Sequence, residues 1–120
     1  MARYVDGFVI PIKKKNIAKY KKMATMGRNM WMKYGALDYY ETVGDDLKPV
    51  FSTTFTKMCK LKPDETVVFA FIVFKSKAHR NSVNKKVHAE FAKMPMENFK
   101  MPFDMKRVAY GGFKSLVNAK

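Results

Sequence analysis

The sequence predicts one α+β domain, residues 1–120, whose elements run β-α-β-β-α-β. Three observations carry that prediction. Residues 4–12, 37–43 and 107–117 hold β-branched and aromatic residues in strand-like patterns, residues 67–74 form an unbroken apolar run, and two intervening stretches place apolar residues at helical spacing.

The opening segment, 4–12, sets Tyr4, Phe8, Ile10 and Ile12 on one parity and Val5 and Val9 on the other, as in a largely buried first strand. After Pro11 and the run Lys13, Lys14 and Lys15, the residues Ile17, Tyr20, Ala24, Gly27, Trp31 and Tyr34 recur at alternating steps of three and four. Such steps line side chains up on one stripe of a helix. Gly35 follows, where a left-handed C-terminal cap would end it. From 37 to 43 the period returns to two: Leu37, Tyr39, Glu41 and Val43 share one face, Asp38, Tyr40 and Thr42 the other. Glu41 is the one charged group on the more apolar side.

Residues 48–65 contain Pro49, Pro63 and several Ser and Thr, the composition of a long connection with room for a short element at 55–61. Residues 67–74 are apolar at every position, so both faces of this strand need cover, as in the middle of a sheet. Ser76 stands at an N-cap position ahead of a helix with Val83, Val87 and Phe91 at intervals of four. Pro95 and Pro102 bracket a methionine-rich loop. In the last strand, 107–117, the pair Gly111-Gly112 marks a bulge or a close backbone approach.

Two strand-helix-strand halves in this order predict a ferredoxin-like fold, with both helices on one face of a four-stranded antiparallel sheet. The other face of an apolar central strand would then expose several hundred Å2, more than monomers usually show. A homodimer that joins two sheets removes the problem.

Composition narrows the classes of function. The content, 48% hydrophobic and 14% aromatic, is that of a folding chain. The segment 1–12 carries Arg3 and Asp6 and lacks the apolar core of a secretory signal, and the longest apolar run is far short of the ~20 residues that span a bilayer. With a single cysteine, Cys59, no intrachain disulfide forms, and the expected compartment is the cytoplasm with no membrane partner. The formal charge of +14 favours acidic partners, but the basic residues are spread along the chain, which fits solvated helix faces and weak, non-specific nucleic-acid binding.

Several short stretches look familiar together: Tyr4-Val5-Asp6-Gly7-Phe8-Val9, Val43-Gly44-Asp45-Asp46, the run from Leu61-Lys62-Pro63-Asp64 through Phe69, and Met101-Pro102-Phe103-Asp104. His79-Arg80-Asn81 with Val83-Asn84, and Tyr110-Gly111-Gly112-Phe113-Lys114, complete the set. In this order they resemble the YbaA-like family of small uncharacterised bacterial proteins, across nearly the whole chain. The resemblance implies a dimeric α/β-barrel in which two ferredoxin-like protomers join their sheets. It implies no catalytic residue, since the family has no established activity.

Two groups of residues are candidates for chemistry. His79, Arg80 and Asn84 fall in the first turns of the second helix, where free amides and the helix dipole favour anions. They predict a small carboxylate or phosphate ligand held by Arg80 and Asn84, with His79 as proton carrier. Trp31, Tyr39 and Glu41, with Tyr110, are aromatic and acidic groups able to line a small pocket. The leading expectation is a ligand-binding homodimer without cofactor, of the oxygenase or isomerase kind that dimeric α/β-barrels support. The alternative is a basic protein that binds nucleic acid or an acidic partner. No metal is expected, because His79, His88 and Cys59 lack zinc-site spacing. Cys59 beside Met58 and Leu61 reads as a small packed hydrophobe, Gly111-Gly112 as no phosphate loop, and Asp45-Asp46 as too little for calcium.

Overall fold

The computed structural model describes residues 2–48, 51–95 and 100–119. Four strands, β1 (Tyr4–Lys13), β2 (Asp38–Val43), β3 (Glu65–Phe74) and β4 (Ala109–Lys114), form one antiparallel sheet in the order β2-β3-β1-β4. Helix α1 (Ile17–Lys33) follows β1, a short helix α2 (Phe55–Met58) lies in the connection to β3, and α3 (Lys77–Phe91) follows β3. The β-α-β-β-α-β order and the ferredoxin-like architecture are those the sequence predicts. One chain gives an open sheet, not a closed barrel.

The central pair is long because both strands are rich in β-branched and aromatic residues, so β1 and β3 pair over their whole length, from Tyr4 opposite Phe74 to Lys13 opposite Glu65. One parity of each faces the helices. There Ile10, Ile12, Val68 and Ala70 pack beneath Tyr20 and Ala24 of α1, while Ile72 and Phe74 pack against Met30 and, from α3, Val83 and Val87. Burying side chains of this size stabilises the fold by about 1.5–3 kcal/mol each. The helix ends are as sequence predicts: Gly35 sits at φ 110°, and the Ser76 hydroxyl accepts from the His79 N–H at the start of α3.

The side of β3 turned away from the helices is largely open in one chain, as the ferredoxin-like arrangement predicts: Phe69 there is 47% exposed, although Val67 near the start of the strand is buried. Two expectations change. The last strand starts later and ends earlier than 107–117. A 3-10 turn over Met105–Arg107 precedes it, because Arg107 is drawn across to Glu65 at 2.6 Å and to the carbonyls of Cys59 and Lys60. Gly111-Gly112 makes no bulge, as pairing runs unbroken through Gly7 opposite Gly111 and Asp6 opposite Gly112. The glycines serve close approach: a Cβ on Gly112 would run into the Tyr4 hydroxyl, and one on Gly7 would lie 3.2 Å from the Phe113 ring. The methionine-rich loop falls partly outside the described residues, as does Pro49 of the long connection.

The Glu65–Arg107 pair ties the long connection to the base of the sheet and sets an acid limit. Hydrogen bonding from Arg107, helped by the Lys62 amide, lowers the Glu65 carboxyl from its ordinary 4.5 to about 2, against the opposing effect of burial. A depressed carboxyl contributes stability that is complete above pH 4.5 and disappears as the pH falls towards 2. Melting temperature should therefore drop across that window, and Glu65→Gln should make the drop shallower; parallel curves for the two proteins in circular dichroism would contradict this.

Candidate functional site

The helix-facing side of β1 carries one acidic residue in an otherwise apolar and aromatic row. Asp6 alternates with Tyr4, Phe8 and Ile10 and is 1% exposed. A carboxylate at that depth needs partners, and α3 supplies them. The Arg80 guanidinium reaches Asp6 Oδ1 at 2.7 Å, and Asn84 Nδ2, one turn further, donates to Oδ2 at 3.3 Å. Asn84 in turn accepts from the Trp31 indole N–H at 2.9 Å, which carries the network across to α1. The spacing of Arg80 and Asn84 is what sets both over one carboxylate.

Arg80 forms the outer rim. Its Nη1 also donates to the Tyr110 hydroxyl at 3.1 Å, its Nε donates to Asn81, and its Cζ lies 4.9 Å from the centroid of the Tyr4 ring. Among the described residues Nη2 has no acceptor. Tyr4 takes this position because Gly112 leaves room for its ring.

A second polar group lies along the sheet towards β2. Glu41, opposite Ala70 on the helix-facing side, accepts from the Tyr20 hydroxyl at 2.5 Å and from the Tyr39 hydroxyl at 2.6 Å. Burial, reinforced by these bonds to Glu41, pushes both phenols far above their ordinary range, so both are held as proton donors. Gly27 in α1 makes the geometry accessible, since a Cβ there would sit 2.8 Å from the Tyr39 hydroxyl. Trp31 joins the two groups, its ring centroid 6.2 Å from that of Tyr39.

Five of the six candidate residues therefore lie in one layer between sheet and helices: Trp31, Arg80 and Asn84 around Asp6, and Tyr39 and Glu41 around Tyr20. His79 does not join them. Its Nδ1 accepts from the Lys75 amide at 3.0 Å, and its ring meets Phe74 edge-on. Burial, with the charges of Lys75 and Lys86, lowers its pKa and favours the neutral ring. Periodicity misses Asp6 and Tyr20 as functional groups, although an aspartate within an apolar parity is a readable signal of a buried partner. An open groove of about 640 Å3 lies at the other end of β3, between Gly44–Lys48 and Leu61–Thr66, and takes in none of the six residues. Among the described residues no group of His, Cys, Asp and Glu is arranged to hold a metal ion, and no helix is long and apolar enough to cross a membrane.

Comparison with known proteins places this architecture. The model of a family described as protein of unknown function, DUF1428, matches residues 3–105. The chain belongs to that family. It is similar to the uncharacterized protein YbaA of Escherichia coli K12 and to YbaA of Shigella flexneri, in each case 34% identical over 116 residues, covering 97% of this chain and 98% of the relative. Family membership thus agrees with the YbaA-like motifs. Among solved structures the chain is similar to a dimeric ferredoxin-like protein from an uncultured marine organism, with a TM-score of 0.56 and 11% identity, covering 100% of this chain and 99% of that one. At that identity the likeness speaks to fold.

Proposed function

We propose that this DUF1428 protein is a cytoplasmic homodimer that binds a small carboxylate- or phosphate-bearing ligand at the Arg80 rim, without a bound cofactor. One observation carries the reading. Arg80 is anchored to a buried carboxylate through Nη1, yet keeps Nη2 without an acceptor among the described residues, beside the hydroxyl of Tyr110, itself an exposed residue. A fixed guanidinium edge next to a hydroxyl donor suits an oxyanion. The homodimer is supported by the open apolar sheet face and by the dimeric ferredoxin-like neighbour. Binding is favoured over catalysis of the oxygenase or isomerase kind, because His79 is turned to a backbone amide and the two buried phenols are held protonated.

A native mass spectrum of the purified protein is the direct test, followed by calorimetric titration with small carboxylates and inorganic phosphate. A dimer with an added mass, or a titratable anion whose affinity falls at least about tenfold in Arg80→Lys, is the expected result. A bare dimer that no such anion titrates overturns the ligand reading.

A second reading, binding of a polyanion, is favoured by α1. Its outer face carries Lys19, Lys21, Lys22, Arg28 and Lys33, and the helix holds no acidic residue. That reading requires affinity for RNA or DNA that falls steeply with salt and is indifferent to Arg80→Lys.

A further inference from the structure

We infer that the C-terminal segment after β4 is a dimer clasp, with Leu116 and Val117 of one protomer packing on the open sheet face of a second copy of this chain. The proposal rests on the homodimer reading above and names the part of the chain that completes the interface.

Leu116 and Val117 are 95% and 90% exposed, the most extreme among the aliphatic residues of the described structure, and they follow directly on the strand that carries Phe113, itself 60% exposed. The segment is held in place. Ser115 N–H donates to the Arg3 carbonyl at 2.9 Å, Arg3 N–H donates to the Ser115 hydroxyl at 2.7 Å, and that hydroxyl donates to Asn118 at 2.9 Å. Hydrogen bonds from both sides thus present two adjacent aliphatic side chains to water, where each forfeits the gain from burial.

The area of the sheet identifies what the clasp is for. Central strands of ten residues and edge strands of six, at about 3.3 Å per residue and 4.8 Å between strands, give a face of about 500 Å2. A stable interface buries about 800 Å2 on each partner. Side chains that reach out from the flat sheet, and from the chain beyond it, make up such an interface. Burying Leu116 and Val117 adds about 60–120 Å2 apiece, together with the surface they cover on the partner. A second copy fits as the occupant because the middle of the face is apolar: Val5, Val9, Phe69, Phe71 and Phe113 lie on it, its charged residues, Asp38, Lys13 and Glu65, stand at the ends of strands, and the lysines of α1 lie on the far side of the sheet. Apolar patches on identical chains close into a two-fold dimer, in which each face receives the other's clasp.

The test is sedimentation equilibrium of the full chain and of L116S/V117S over a range of concentrations, with circular dichroism to show that the variant keeps its fold. The expected result is a wild-type dimer and a variant whose dimer dissociation constant rises about 100-fold or more. A variant that dimerises as tightly as wild type overturns the clasp and leaves the homodimer standing. A wild-type chain that stays monomeric at about 100 μM overturns both. Should the variant melt earlier, the single substitution V117T serves instead, with a rise of about tenfold expected and none overturning the proposal.

Discussion

Asp6→Ala is expected to lower stability by about 3–5 kcal/mol, because it leaves the Arg80 guanidinium without its counter-charge in a largely enclosed position. The loss is more than electrostatic. Asn84 loses the acceptor for its amide and with it the restraint that aims its carbonyl at the Trp31 indole, so α1 and α3 lose their shared anchor on β1. For a domain of this size the melting temperature should fall by roughly 10–20 °C. Asp6→Ala/Arg80→Ala should cost less than the sum of the two single changes, with a coupling of about 1–3 kcal/mol in urea denaturation. Strict additivity would show that the two side chains do not act as a pair.

Phe69→Arg is expected to abolish the dimer while leaving the protomer folded. Phe69 lies on β3 opposite Val9 of β1 and Thr42 of β2, at the middle of the open face, and its ring packs 6.0 Å from that of Phe71. In one chain nearly half of it meets solvent, so a long charged side chain is accommodated without repacking the helix-facing core. In a sheet-to-sheet dimer the same change brings two unpaired cations into an apolar contact, and the dissociation constant should rise at least about 1,000-fold. Sedimentation of the variant as a folded monomer is the outcome expected. A dimer that persists would move the interface to another surface.

The two variants bear on features that differ in how far sequence reveals them. The open face follows from strand parity: once residues 67–74 are read as a central strand, one side must lie under the helices and the other must seek a partner. Glu41 likewise announces itself as the charged member of an apolar row, and the structure gives it two phenols. Asp6 is the same kind of signal, but its partner Arg80 is 74 positions away and on a helix, so no local pattern joins them. His79 fails for the opposite reason. Its place in the first turn of a helix suggests a site, while the direction of its side chain, back towards Lys75, is fixed by the cap at Ser76 and lies beyond what periodicity encodes. The late start of the last strand depends on Arg107 turning to Glu65, a contact across 42 positions that composition cannot report.

Trp31 is the one tryptophan of the chain, and its indole N–H is bound to Asn84 where α1, α3 and the sheet meet. The molecule therefore carries a single indole fluorophore, selectively excited apart from its tyrosines, at the junction of its two polar groups. Its emission, undiluted by any other indole, reads the polarity at that junction directly, so an event at the Arg80 rim or a parting of the two helices reports itself optically in the unlabelled protein.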